Sequence, residues 1–304
     1  MVFLENISNA GKLMLLLGLI LICTLLTAFS GLLIGKLILG VDLATLGFYI
    51  SDPKTGEAIA FIKFYQLLNQ LGTFIIPALF FGFLVSDKPT DYLRLNERPR
   101  TIVLSISFLL VFTILPFVNY LEEINRSMQL PEMLNALEAW IKDKEEQAAH
   151  LTEVIVSTSS VQGLILNLFI VALVPAIGEE LLFRGVLLKL IKDIAHNVHW
   201  AVIISALLFS AFHLQFYGFL PRFALGLVLG YLFVITNNLW VPVFIHFINN
   251  AAAVIVFNLH HNGYINISMD DFGSMSNPVY IIGSLLITLW LISIIYKSER
   301  FSFQ

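Results

Sequence analysis

A chain of 304 residues that is 58% hydrophobic and only 12% charged departs from soluble domains, which carry about 25% charged residues. Its net charge of −4, without a basic stripe or nucleic-acid motif, argues against a nucleic-acid partner. Its single cysteine, Cys23, excludes an intrachain disulfide and a cysteine-based zinc site. The mean hydropathy of +0.86 is concentrated in apolar runs long enough to cross a hydrocarbon core roughly 30 Å thick. The sequence therefore predicts an all-α polytopic membrane protein with the lipid bilayer as its partner.

The first apolar run, residues 13–35, is longer than a signal-peptide core and is read as a retained anchor. A polar turn is expected at 52–56, followed by a second span at 64–85. Arg94, Arg98 and Arg100 cluster before a third span at 101–120, which marks that loop as cytoplasmic. From 121 to 153 the chain turns acidic. Residues 131–149 have helical composition, with Leu134, Leu137 and Ile141 on one face, and predict a solvated or interfacial helix on the outer side.

A fourth span is expected at 154–177, ending cytoplasmically near Lys189 and Lys192. Further spans follow at 200–214, 219–235 and 239–257, the last two joined only by residues 236–238 and so a tight antiparallel pair. After a polar loop at 260–277 carrying Asp270 and Asp271, an eighth span is expected at 279–295. The count is eight, in one membrane domain over 1–304, with both termini cytoplasmic and the acidic loops outside. A short chain of this kind is expected in a bacterial inner membrane, with any site opening toward the cytoplasm.

The stretch 178–185 reads Gly-Glu-Glu-Leu-Leu-Phe-Arg-Gly. An ionisable group at the centre of a spanning helix costs about 2.5–3.5 kcal/mol, so those retained there are functional candidates. Residues four apart share a helix face, which pairs Glu180 with Arg184 and leaves Glu179 as the candidate general base. The next spans supply His213, and then His246 with Asn250, four apart and facing one cavity; Asn249 is expected to point elsewhere. Taken singly, the glutamates could meet headgroups, Arg184 could snorkel and the histidines could be interhelical glue. A single shared polar cavity accounts for them together. A carboxylate beside a histidine suits proton transfer with water, and imidazole and carboxamide N–H groups suit an oxyanion, so the set fits amide hydrolysis. One condition attaches: with span four at 154–177, Glu179 lies near its inner end, whereas His213 lies roughly 20 Å inward along its own helix. The two meet only if the fourth span starts later and runs past Glu179, or if the fifth is tilted.

The order Glu179-Glu180-x-x-x-Arg184, Phe209-x-x-x-His213 and His246-x-x-x-Asn250 on successive helices resembles the CPBP family of intramembrane proteases. That family includes the type II CAAX prenyl endopeptidases and bacteriocin-processing or immunity-associated (Abi) proteins. The resemblance covers roughly 163–257, within an expected protease core at 154–258, and the first three spans match in hydropathy only. It implies that Glu179 with His213 activates water, that His246 and Asn250 stabilise the oxyanion, and that Glu180, Arg184 and Phe209 support the site. The implied substrate is a peptide or membrane protein. No cofactor is required, although Glu179, His213 and His246 would also permit a zinc shell with an open position for water. The local His-Glu-x-x-His signature of zinc peptidases is absent. Two other readings stand beside the protease: a non-proteolytic partner such as an immunity or scaffold protein, and a proton-relaying transporter, which would call for paired repeat halves that the sequence lacks. Arg222, at the start of the sixth span, has no assigned role.

Overall fold

The computed structural model describes residues 7–38, 53, 55–268 and 271–300; Asp52 and Lys54 of the turn expected at 52–56, and Asp270, lie outside these. The described chain is built from helices: α1 Asn9–Ile38, α2 Gly56–Val85, α3 Thr101–Thr113, α4 Leu115–Ser127, α5 Asn135–Val156, α6 Val161–Ala195, α7 Val198–Phe212, α8 Phe219–Thr236, α9 Trp240–His261 and α10 Pro278–Arg300. Among the described residues there is no strand. Six of these helices are long and apolar enough to cross a membrane, and α3 with α4 makes a seventh if the pair is one bent span. The expected count of eight is not reached on that measure, because α7 has only 15 residues and rises roughly 22 Å. Apolar side chains such as Leu21, Leu25, Phe29, Leu286 and Trp290 are exposed on the outward faces of α1 and α10, as contact with lipid requires.

Prolines punctuate the spans. Pro77 and Pro175 each follow a wide π-helical segment, Leu71–Ile75 in α2 and Leu168–Leu173 in α6. A proline has no N–H and its ring crowds the carbonyl four residues back, so the preceding turn widens. Pro116 lies just past the break at Ile114, where α3 and α4 meet at 40°. Ser284 of α10 patches that break. Its hydroxyl donates to the Thr113 carbonyl at 2.6 Å and accepts from the Phe117 N–H at 3.3 Å, standing in for the lost helical bond.

The fourth span begins at Val161, not at 154, and continues to Ala195. Residues 154–156 belong to α5, and Ser160 caps the new helix by accepting from the Gly163 N–H at 3.0 Å. The helix does not stop at the glutamates. A second wide segment, Leu181–Leu187, carries Arg184 and holds it in the same rod as Glu180. Glu179 thus sits near the middle of a 35-residue helix. Of the two conditions left open by the sequence, the later and longer fourth span is the one met.

At the basic face, His196 adopts φ +51 to end α6, and the Asn197 side chain caps α7 through the N–H groups of His199 and Trp200. The 86–100 loop docks on the α8–α9 turn: Leu239 N–H donates to the Arg94 carbonyl, and the Asn238 amide to that of Glu97. Lys189 reaches the Tyr92 carbonyl from α6. α7 and α8 form a close antiparallel hairpin, because a Cβ on Gly226 would lie only 3.0 Å from Ala206 Cβ and 3.1 Å from its Cα. Gly226→Val is expected to part the hairpin and cost about 1–3 kcal/mol, read as a lowered melting temperature in detergent, whereas Gly283→Ala, which meets nothing within 4 Å, should leave it unchanged.

Candidate active site

The side chains singled out by sequence come together from the middle of α6, the C-terminal end of α7 and the first half of α9. Glu180 and Arg184 are both 0% exposed, and Arg184 Nη1 donates to Glu180 Oε1 at 2.6 Å, as the four-residue spacing predicts. Arg184 Nη2 donates to the Gly226 carbonyl at 3.1 Å, tying α6 to α8. The same Glu180 oxygen accepts from His246 Nδ1 at 2.8 Å, tying α6 to α9. Phe209 lies over this pair: its ring centre is 4.7 Å from the guanidinium carbon, and it meets the His213 and His246 rings edge-on at 5.1 and 5.8 Å.

Glu179 points to the other side of the helix, as the sequence reading requires. Its Oε2 is 3.9 Å from His213 Nε2 and 3.8 Å from His246 Nε2, and no protein group hydrogen-bonds to it. His213 Nδ1 donates to the Phe209 carbonyl at 2.9 Å. Both imidazoles therefore use Nδ1 within the protein and turn Nε2 toward Glu179. The three groups line a cavity of about 140 Å³ together with Asn250, Asn249 and Arg222. That is room for several waters beside polar partners.

Two of these lining residues differ from or go beyond the sequence reading, which turned Asn249 away and left Arg222 open between snorkelling outward and lining the cavity. Asn249 does not point away: its Nδ2 donates to Asn250 Oδ1 at 3.4 Å. Its neighbour relation to Asn250 was legible, but the width of the cavity was not. Arg222 comes from the first turn of α8, and nothing in its local sequence distinguished a cavity-lining side chain from a snorkelling one.

The turn after His213 is held from outside. Leu214 is 90% exposed with φ +54, a left-handed backbone that a leucine adopts at a cost of about 1–2 kcal/mol. Buried Asn125 of α4 fixes the turn, donating to the Phe216 carbonyl at 2.9 Å and accepting from the Leu220 N–H at 2.7 Å. Glu145 of α5 accepts from the Tyr217 N–H at 3.0 Å. The interfacial helix expected from composition thus packs beside the site. His213 also lines a recess of about 530 Å³ walled by Trp140, Ile141 and Ala148 of α5. The recess on the basic face, bounded by Arg98, Trp240 and Phe247, has no lining residue in common with the cavity. The cavity shares His213 with the recess beside α5.

Glu179, His213 and His246 offer donors that suit zinc chemically. Among the described residues, however, no three His, Cys, Asp or Glu side chains are arranged to hold a metal ion.

With this geometry in hand, residues 161–252 match the family model described as type II CAAX prenyl endopeptidase Rce1-like. The chain carries an Rce1-like segment. All seven side chains named by the resemblance fall inside it. The curated Bacillus subtilis (strain 168) protein named "Putative membrane peptidase YdiL" is 28% identical over 96 residues, which cover 32% of this chain and 39% of that protein. The chain thus matches about two fifths of that relative's length. No solved structure matches significantly.

The Rce1-like segment depends on its buried ion pair. Arg184→Met is expected to cost about 3–5 kcal/mol, because it leaves the buried Glu180 carboxylate without its cation. The double variant with Glu180→Gln should recover part of that loss in the same thermal unfolding measurement.

Proposed function

We propose that this chain is an intramembrane endopeptidase in which Glu179 activates water to hydrolyse a peptide bond of a membrane-associated or peptide substrate. The observation that carries the reading is the convergence of a buried glutamate, two imidazoles and two carboxamides on one cavity within the Rce1-like segment. The similarity to the protein named "Putative membrane peptidase YdiL" supports this reading.

The separation of 3.9 Å between Glu179 Oε2 and His213 Nε2 is too long for a direct hydrogen bond and suits one water touching both. Both atoms accept, so that water donates a proton to each. Glu179 takes one as the oxygen attacks the carbonyl carbon. The oxyanion accepts from Asn250 Nδ2, whose Oδ1 is held by Asn249, and from His246 Nε2. His246 donates there only as the imidazolium, the form with Glu180 on one side and Glu179 on the other. The proton held by Glu179 then passes to the amine as the C–N bond breaks. Glu180 and Arg184 act through His246 and position it.

The basic 94–100 loop, Lys189 and Lys192 support a cytoplasmic face in a bacterial inner membrane, with both termini on that side. In that orientation the recess that shares His213 with the cavity lies on the outer side beside α5, which supports entry of substrate from outside.

Cleavage of quenched fluorescent membrane peptides by the purified protein tests the reading. Glu179→Gln and His213→Ala are each expected to lose about 10²–10⁴-fold in rate, and Asn250→Ala about 10²–10³-fold in kcat, with unchanged melting temperatures. A strong chelator should leave the rate intact. Cleavage that persists in Glu179→Gln would sink the proposed base, and loss with chelator, restored by zinc, would replace activated water on glutamate with a Glu/His/His zinc site.

A further inference from the structure

The mechanism above leaves one charged group of the cavity unused. Arg222 lines it beside His213, Asn249 and Asn250. Its Nη2 donates to the neutral Gln215 side chain, and its Nη1 is buried with no hydrogen-bond partner in the protein. The guanidinium lies flat against Gly218, where a Cβ would come within 2.2 Å of Nη1, so this turn is shaped to let the cation through. The carboxylates facing Arg222 are Glu179 across the cavity and Glu145 and Glu122 on α5 and α4. None makes an ion pair with it: Glu145 accepts from the Tyr217 N–H, and Glu122 pairs with Arg126 at 2.7 Å. The other cation of the site, Arg184, is committed to Glu180 and the Gly226 carbonyl.

A guanidinium presents donors in a fixed fork that matches a carboxylate, and leaving one buried without an acceptor is costly. We propose that Arg222 binds a carboxylate of the substrate, so that the preferred peptide carries an anionic group close to its scissile bond. Closeness follows from size, since Glu179 and Arg222 line the same cavity of about 140 Å³. The carboxylate has two sources, the C-terminus of a peptide or an Asp or Glu side chain. Arg222 is then a specificity residue: it acts on the ground state and on KM, whereas an oxyanion donor would act on kcat whatever charge the peptide carries.

The inference rests on the peptidase reading for the identity of the ligand as a peptide, but its test does not need turnover. Full-length Glu179→Gln protein in nanodiscs is titrated with three labelled peptides of one apolar sequence: a free C-terminal carboxylate, a C-terminal amide, and an amide with one internal Asp. Anisotropy is expected to show at least tenfold tighter binding for one or both carboxylate peptides than for the neutral amide. Adding Arg222→Gln should abolish that preference while leaving the neutral amide's affinity unchanged, and Arg222→Lys should retain part of it. Which of the two carboxylates responds names the source. Equal binding of all three peptides, no binding of any, or an equal loss for all three in Arg222→Gln overturns the proposal. If Arg222→Gln fails to fold, shown by its melt, the comparison between Arg222→Lys and Gln215→Leu, which frees the fork, takes its place: Gln215→Leu must keep the preference. Failure of the peptidase reading appears elsewhere, as no cleavage of any membrane peptide by the wild-type protein, and failure of the proposed base as cleavage that persists in Glu179→Gln.

Discussion

A carboxylate and a guanidinium with no exposure to solvent occupy the middle of a spanning helix, and the surrounding helices are arranged to tolerate them. Taking either charge out of water alone costs several kcal/mol, and their mutual attraction repays this only when the remaining donors and acceptors are satisfied. Glu180 Oε1 accepts from both Arg184 and His246, and Arg184 Nη2 finds the Gly226 carbonyl, while Glu180 Oε2 and Arg184 Nε are buried without a protein partner. Each of these bonds comes from a different helix. The ion pair thereby fixes α8 and α9 against α6, and through Phe209 it sets the rings of α7 as well. Glu179 is free to face the cavity because its neighbour carries the structural task.

The wide turns of α6 serve the same end. An α-helix with constant pitch would carry the apolar surface of 161–173 and that of 188–195 around the rod without adjustment. Two π segments, on either side of the glutamates, shift the register so that the ends pack on α9 and α7 while the middle presents Glu179 to His213 and Glu180 to Arg184, with His246 between the two carboxylates. The third such segment, in α2, backs them: Gly178 lies against Phe74 and Ile75, close enough that a Cβ would meet both at 3.0 Å.

Much of this was legible in the sequence. The helical class, the Glu180–Arg184 pairing, the free face of Glu179 and the shared face of His246 and Asn250 all follow from spacing on a helix, which is a local property. What failed was non-local. The boundary of the fourth span was drawn where hydropathy fell, but a buried ion pair lowers hydropathy without ending a helix. Residues 154–156 are apolar and yet close α5, because the cap at Ser160 outweighs them. Asn249 and Arg222 join the cavity through its width and through the turn at Gly218, neither of which has a sequence period. How α4 and α5 lie over the α7–α8 turn depends on Asn125 and Glu145, and such clamps leave no pattern in either stretch of sequence they join.

The shortness of α7 has a consequence for the bilayer itself. A helix of 15 residues rises some 8 Å less than the thickness of a 30 Å hydrocarbon layer, and it is followed by His213 and the 214–218 turn. Lipid cannot solvate the polar backbone of such a turn, and here protein holds it: Asn125 meets the Phe216 carbonyl and the Leu220 N–H, and Glu145 the Tyr217 N–H. Protein, not acyl chain, thus occupies that depth beside the turn.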